Sequence, residues 1–468
     1  MSQAFRRPRR VHFVGIGGVG MSGLAEILLT LGHTVTGSDL RKSRITERLE
    51  RLGARVFLGH DAAHVAPDTD VVVISSAVKY SNPEVLRARE LSIPVVLRGE
   101  MLADLLRLKH SVVVGGSHGK TTTTSLIGTI LAHAGLDPTA VVGGVVQGFG
   151  SNVRLGRGEV LVVEADESDG SFLLLSPTIA VVTNIDPEHL DYYGDLEQLK
   201  NAFLQFANRV PFEGCAVLCL DHPNVRAILP AVRKRVVTYG TSADAEWRAE
   251  DVAVRETETT FRVRRRGRLL GSVRLGLPGR HHATNAVAAL VVASELGVPF
   301  EVSAEALGRF SGIHRRFELC GEANGVLVVS DYAHHPAEIA ATLGAAREGF
   351  ARRLVVAFQP HRFTRTRDLF YDFLSAFDAA DVLVLTEIYG AGEAEIPGVQ
   401  GEALYHALRR RGHVDVHFEP DRTGLLERVL ALVRPGDLLL VLGAGDIHEL
   451  AADVLVALGA RPSSDLVQ

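Results

Sequence analysis

The chain has 468 residues, 46% hydrophobic and 22% charged, with a formal net charge of −5. Its length predicts about three domains, and the near-balance of 50 basic and 55 acidic residues argues against a protein that coats nucleic acid. Three cysteines (Cys215, Cys219, Cys320) cannot build a disulfide framework and suit a reducing, cytoplasmic compartment. With 46 glycines and only 6% aromatics, collagen, coiled-coil and disordered classes are excluded, leaving a glycine-rich α/β protein.

Arg6, Arg7, Arg9 and Arg10 precede an apolar stretch from Val11 to Ala25. Glycines interrupt it, Glu26 follows it and no small-residue cleavage site is present, so it is not read as a secretory signal. No apolar run reaches the roughly 18 residues of a membrane helix, which predicts no membrane insertion.

Short apolar runs then alternate with helical patterns, the signature of parallel βαβ units. Val11–Val14, Thr34–Thr36, Val71–Ile74 and Pro94–Leu97 read as strands, with helices over Leu24–Leu31 and Arg44–Leu52. The first strand runs into Gly15-Ile-Gly17-Gly18-Val19-Gly20, then Met21 and Ser22. Glycines there permit a tight turn and let backbone amides approach a diphosphate at a helix N-terminus. Asp39, nineteen residues after Gly20, stands where an acid reaches a ribose hydroxyl.

A second unit opens with the strand Ser111–Val114 and the loop Gly115-Gly116-Ser117-His118-Gly119-Lys120-Thr121 before a helix near Thr122. Backbone amides of such a loop cradle phosphates, Lys120 neutralises β/γ oxygens and Thr121 holds Mg²⁺. The usual G-x-x-x-x-G-K-[ST] spacing needs a glycine at position 114, where this chain has valine. Two later strands, Val160–Val163 and Ile179–Val182, end in acids, and Glu164 and His189 are the predicted metal ligands beside those phosphates.

The basic stretch Arg262–Arg268 reads as a solvated hairpin turning at Gly267, because no aromatics interleave it for base stacking. Cys215 and Cys219, four apart in an apolar run, read as core residues on one strand face. From Val326 four more strands follow: Val326–Val329, Leu354–Ala357, Val382–Leu385 and Leu438–Val441. Basic clusters follow them, with His361, Arg362, Arg365 and Arg367 suited to grip phosphate or carboxylate.

Taken in this order, HFVGIGGVGMSGLAEIL, GSHGKTTTT, EADESDGSF, TNIDPEHLD, RRFE, DYAHHP and FQPHRFTRTRDL resemble the Mur ligases of bacterial cell-wall synthesis. The resemblance spans nearly the whole chain, from His12 to about Ile447, and the shortened phosphate loop is itself the family's nucleotide motif. It implies a three-domain α/β architecture. Residues 1–109 would form a Rossmann-like domain for UDP-N-acetylmuramate, 110–314 a central P-loop ATPase, and 315–468 a Rossmann-like domain that closes on ATP and binds the amino acid. The implied reaction is amide formation through an acyl phosphate, with UDP-N-acetylmuramate, L-alanine and ATP as partners, Mg²⁺ as cofactor and a monomer or homodimer as the working form. Within the family the alternative is a ligase that recycles a murein peptide onto the same nucleotide sugar.

Position by position, the resemblance assigns ATP to Gly115, Gly116, Ser117, His118, Gly119, Lys120, Thr121, Thr122 and Asn285, with Arg316 and Asp331 from the third domain. Magnesium falls to Thr121, Glu164 and His189. The nucleotide sugar falls to Gly15, Gly17, Gly18, Val19, Gly20, Met21, Ser22 and Asp39. Tyr332, His334, His361, Arg362 and Arg365 match the region where amino acid and acyl phosphate meet. Lys120, Glu164, His189, His334 and Arg365 are expected to carry the chemistry, His334 as the base because imidazole is easily tuned near neutral pH. The chain departs from the family at Ser117 for threonine, His282 for asparagine and Ala333 for glycine, the last raising the question of backbone angles. A nicotinamide oxidoreductase built on Gly15–Gly20 and Asp39 would leave the Gly119-Lys120-Thr121 motif and the two acid-tipped strands unexplained, and a non-catalytic nucleotide switch would be excluded by phosphate release that depends on both substrates.

Overall fold

The computed structural model describes residues 8–75, 77–412 and 415–460; Arg6 and Arg7 fall outside them. Three sheets follow one another along the chain. The first holds β1 (Arg10–Val14), β2 (Thr34–Asp39), β3 (Arg55–Leu58), β4 (Val71–Ile74) and β5 (Val95–Leu97), in the order β3-β2-β1-β4-β5. All of its pairings are parallel, with Val11 opposite both Val35 and Val71.

The second sheet contains β6 (His110–Gly115), β7 (Thr139–Val146), β8 (Ser151–Arg154), β9 (Val160–Glu164), β10 (Ile179–Val182), β11 (Cys215–Cys219), β12 (Val236–Gly240), β13 (Trp247–Arg255), β14 (Glu258–Arg265) and β15 (Arg268–Leu275). Their order is β15-β14-β13-β12-β11-β10-β6-β9-β7-β8. β6 lies parallel between β10 and β9, with Val114 opposite Val181 and Glu164, so the C-terminal ends of three central strands adjoin. The third sheet is β16 (Glu318–Ala323), β17 (Val326–Asp331), β18 (Leu354–Phe358), β19 (Val382–Leu385), β20 (Val416–Phe418) and β21 (Leu438–Leu442), in the order β16-β17-β21-β18-β19-β20. Only β16 is antiparallel there.

Strands covered on both faces read as unbroken apolar runs, and this chain follows that rule. β11, β18, β19 and β21 are buried along their whole length. Such runs make the predicted strands β4, β10 and β19 coincide with the observed ones. The strands β3 and β20 went unanticipated: at four and three residues they are too short to show a period, and most of their positions are exposed or half-buried. The predicted hairpin is β14–β15, turning at Arg266 (φ +47°) and Gly267 (φ +80°). Its arginines are neutralised locally: Arg264 pairs with Glu250 at 2.8 Å, Arg266 with Glu246, and Arg265 covers the Trp247 ring at 5.1 Å. Cys215 and Cys219 are core residues of β11, and burial pushes their thiols up to about 11 and about 12.

The chain divides into two compact units. One runs to Glu250 and includes Arg262–Ser272 and Thr284–Phe310; the other comprises Asp251–Phe261, Val273–Ala283 and the chain from Ser311. In the first, one apolar core includes Phe13, Leu24, Val113, Val163, Phe203 and Leu218. In the second, cores on the two faces of the third sheet centre on Phe358 and Phe373, and on Val355 and Val441. Among the described residues no helix is long and apolar enough to cross a membrane.

Candidate active site

In the first unit, β1 ends in a turn at Gly15 (φ +80°), and the helix Val19–Thr30 begins four residues later. The Ser38 carbonyl accepts the amides of Gly15 (2.8 Å) and Ile16 (2.9 Å). Asp39 Oδ2 accepts the Gly17 amide at 2.8 Å, so the acid singled out for a ribose also holds the glycine loop in shape. A Cβ on Gly17 would lie 2.8 Å from that oxygen, which explains the glycine. Met21 and Ser22 are buried on the helix. Gly20 faces Arg98, whose guanidinium pairs with Asp166 at 2.9 Å.

The second glycine loop follows β6 and leads into the helix Lys120–His133. Gly116 (φ +133°) and Gly119 (φ +79°) adopt backbone angles that L side chains rarely take. The strand end after β10 holds this loop. Asn184 Oδ1 accepts the His118 amide (2.7 Å) while its Nδ2 donates to the His118 carbonyl (3.0 Å). Thr183 Oγ1 donates to the same carbonyl at 2.6 Å, and the Asp186 amide donates to Ser117 Oγ at 2.8 Å. The Asp186 carboxylate lies 3.4 Å from His118 Nε2 and 3.2 Å from His222 Nε2; burial opposes its charge, but these imidazoles hold its pKa well below the usual carboxylate range. Asn285, on the helix Arg280–Glu295, packs its amide against Gly119.

Lys120 Nζ donates to Glu167 Oε1 (2.7 Å) and to the Gly116 and Ser117 carbonyls (2.5 and 3.0 Å). Burial opposes its charge, but the carboxylates of Glu167, Glu164 and Glu188 outweigh it and raise the lysine pKa. Burial pushes Glu167 up to about 7, an effect the lysine only partly offsets. Thr121 Oγ1 donates to Glu164 Oε1 at 3.1 Å, and Glu164 Oε2 accepts the Gly143 amide at 2.7 Å. His189 takes φ +56° and gathers with Glu167 and Glu188, their ligand atoms all within 4.8 Å of one another.

The three predicted metal ligands therefore fall in two places, Thr121 with Glu164 and His189 with Glu167 and Glu188. Sequence reasoning passed over Glu167, Glu188, Thr183, Asn184 and Asp186. Their signal was present: each lies within a few residues of the C-terminal end of a strand adjoining β6, where parallel sheets bind ligands. What the sequence lacked was any sign of which acids turn toward the loop.

In the second unit, Asp331 at the end of β17 is buried and accepts the Phe317 amide (2.6 Å) and the Ala333 amide (2.8 Å). Burial raises its pKa against the lowering effect of Arg316. The guanidinium groups of Arg315 and Arg316 lie over the Tyr332 ring at 4.9 and 5.1 Å. His334 meets both Tyr332 and His361 edge-on, and His361 stacks on Tyr389 with centroids 5.6 Å apart. Arg365, on the short helix Phe363–Asp368, donates through Nη1 to the His361 carbonyl at 3.3 Å, and Arg362 precedes that helix with φ +70°. Burial, reinforced by His334, Arg365 and Arg362, pushes His361 down to about 3, so it is neutral at pH 7. Ala333 is buried and is not among the positive-φ residues, so its side chain brings no strain. His282 lies 3.1 Å from His281 in a dry setting that pushes its pKa well down.

Family models match three consecutive stretches: "Mur ligase family, catalytic domain" over residues 10–110, "Mur ligase middle domain" over 114–293, and "Mur ligase, glutamate ligase domain" over 315–445. The chain is 56% identical over 456 residues to a UDP-N-acetylmuramate–L-alanine ligase of Geobacter sp. (strain M21), covering 97% of this chain and 99% of that one. It is 57% identical over 460 residues to the protein so named in Anaeromyxobacter sp. (strain Fw109-5), covering 98% and 100%. Among solved structures, a UDP-N-acetylmuramate-alanine ligase from Thermotoga maritima superposes with a TM-score of 0.78 at 30% identity, over 96% of this chain and 98% of that one.

Proposed function

The chain belongs to the Mur ligase family, and we propose that it joins L-alanine to the lactyl carboxylate of UDP-N-acetylmuramate with ATP, giving UDP-N-acetylmuramoyl-L-alanine, ADP and phosphate for peptidoglycan synthesis. The observation that carries the reading is end-to-end identity of 56–57% with relatives bearing that activity in their names. In this reading residues 1–109 hold the nucleotide sugar, 110–314 hold ATP, and 315–468 bring the amino acid. The enzyme works in the cytoplasm, where ATP and nucleotide sugars are made, as a monomer or homodimer.

A carboxylate is a poor electrophile, and phosphorylation gives it a leaving group. The loop amides from Gly115 to Lys120 receive the ATP phosphates, and Lys120 exchanges its contact with Glu167 for the γ-phosphate. Asn285, packed on Gly119, borders the nucleotide. The Thr121 hydroxyl and the Glu164 carboxylate are hard oxygen donors already 3.1 Å apart, and Glu167, Glu188 and His189 form a second donor set, so the residues fit magnesium. Bound there, it would neutralise charge on the transferring phosphoryl group.

The amine then displaces phosphate. Arg362 and Arg365 offer the alanine carboxylate a cationic seat. The Tyr332 carbonyl can only accept, so His334 Nδ1, 2.8 Å away, must donate; this leaves Nε2 to take the proton from the attacking amine. Arg316 and Asp331 shape the loop that carries Tyr332. The test is ligation with UDP-N-acetylmuramate, ATP, Mg²⁺ and a panel of amino acids and peptides. L-Alanine is expected to be the preferred acceptor, and faster turnover with a murein tripeptide would overturn the assignment.

A further inference from the structure

Away from the phosphate loop and the basic cluster, the first sheet encloses a polar centre to which the reaction assigns no role. Glu84, on the helix Pro83–Glu90, is wholly buried. Its Oε2 accepts the Ser38 hydroxyl at 2.6 Å and lies 3.2 Å from His60 Nδ1; its Oε1 lies 2.7 Å from His64 Nδ1 and 3.8 Å from His12 Nε2. The Ser38 hydroxyl also lies 2.9 Å from His60 Nδ1, and His12 Nδ1 lies 2.8 Å from Thr36 Oγ1. His64 is fixed from its other face by stacking on Phe57 at 4.3 Å. One carboxylate thus ties together β1, β2, the segment carrying His60 and His64, and its own helix. Burial opposes the charge, but contacts with His12, Ser38 and His64 outweigh it and hold the carboxyl down at about 2.

The centre connects to the first glycine loop through a single residue. Ser38 presents its hydroxyl to Glu84 and its carbonyl to the Gly15 and Ile16 amides. Its neighbours brace the same loop, Asp39 through the Gly17 amide and Gly37 by lying under Ile16. A buried charged acceptor makes a strong, directional hydrogen bond, so the Ser38 side chain has one low-energy orientation.

We propose that Glu84 is a positioning residue for the nucleotide sugar, acting through Ser38 to fix the backbone on which the UDP diphosphate sits. The inference rests on the reading that this loop binds UDP-N-acetylmuramate. Disturbing the centre weakens that one substrate and leaves the ATP and amino-acid steps alone.

The experiment is steady-state ligation kinetics on the full-length enzyme, varying each of the three substrates in turn. Glu84→Ala and Ser38→Ala are each expected to raise KM for UDP-N-acetylmuramate by about tenfold, with kcat changed less than about twofold and the KM values for ATP and L-alanine unmoved. Glu84→Gln, which keeps an oxygen acceptor for Ser38, is expected to restore most of the affinity even if it unfolds at a lower temperature. That restoration separates positioning from mere stability. Should Glu84→Ala fail to fold, Ser38→Ala decides, since it removes one oxygen. A uniform rise in all three KM values, or no rise in either variant, overturns the inference. Gly17→Ala, which crowds Asp39 within the loop itself, is the control on the underlying reading. If it leaves nucleotide-sugar KM unchanged, the loop is not the site; if it raises KM while the Glu84 and Ser38 variants do not, only the inference fails.

Discussion

Replacing Gly116 with alanine probes how the ATP loop is held. At φ +133° the backbone strain for an L residue is about 1–3 kcal/mol. The added Cβ would also stand 2.0 Å from Thr183 Oγ1, and 3.0 and 3.1 Å from the backbone N and O of Asn184. Thr183 can turn away only by giving up its single donated hydrogen bond, aimed at His118 O (2.6 Å) with Gly115 O farther off (3.3 Å), worth about 1 kcal/mol. Asn184 cannot yield cheaply, because its side chain grips both the amide and the carbonyl of His118. The sum is about 2–4 kcal/mol, or roughly one and a half to three decades in an equilibrium constant. Because the loop is local and the β6 core remains packed, the cost falls mainly on loop geometry. We expect kcat/KM for ATP to fall by at least about thirtyfold in a coupled phosphate-release assay, while calorimetric affinity for UDP-N-acetylmuramate stays within about threefold. Wild-type ATP kinetics in this variant would refute the argument that the strand end after β10 fixes the loop.

Four further outcomes follow from other parts of the molecule. Lys120→Ala removes an ammonium held against the loop carbonyls and is expected to lower kcat by about a thousandfold, with nucleotide-sugar affinity retained; equal loss of both would contradict the division of substrates between the two glycine loops. Asp331→Ala leaves two buried amides without their acceptor and is expected to lose about 2–4 kcal/mol in urea denaturation, whereas a cost under about 0.5 kcal/mol would show the contacts to be idle. Glu84 titrates from 4.5 unfolded to about 2 folded, so its contribution is complete above the unfolded value and lost as pH falls through the folded one. The stability gap between wild type and Glu84→Gln should close as pH falls from about 5 to 2; a gap that widens over that range would reverse the sign. Finally, Cys215 and Cys219 are buried and burial pushes their thiols to about 11 and about 12, so at pH 8 these two should resist thiol labelling that denaturant makes complete, and rapid native labelling of either would contradict the buried placement.

The parallel sheets were legible because strands covered on both faces must be apolar throughout, as in β10 and β19. The glycine loops were legible because positive φ and close backbone approach leave no other residue type, as at Gly116 and Gly119. The acids were less so. Glu164 and Glu167 sit three residues apart in one motif, yet one meets Thr121 and the other Lys120, a choice made by how the chain turns after β9. The Glu84 centre could not be read at all. His12, Ser38, His60, His64 and Glu84 are spread over more than seventy residues, and each alone looks like an ordinary polar residue. Only the βαβ winding of the first sheet brings them to one carboxylate.

The most direct test of the account follows oxygen. UDP-N-acetylmuramate carrying ¹⁸O in its lactyl carboxylate is turned over with ATP, Mg²⁺ and L-alanine, and both products are read by mass spectrometry. Activation through an acyl phosphate predicts UDP-N-acetylmuramoyl-L-alanine together with one ¹⁸O transferred to each phosphate released. Phosphate without label, or phosphate released equally well without L-alanine, would contradict it.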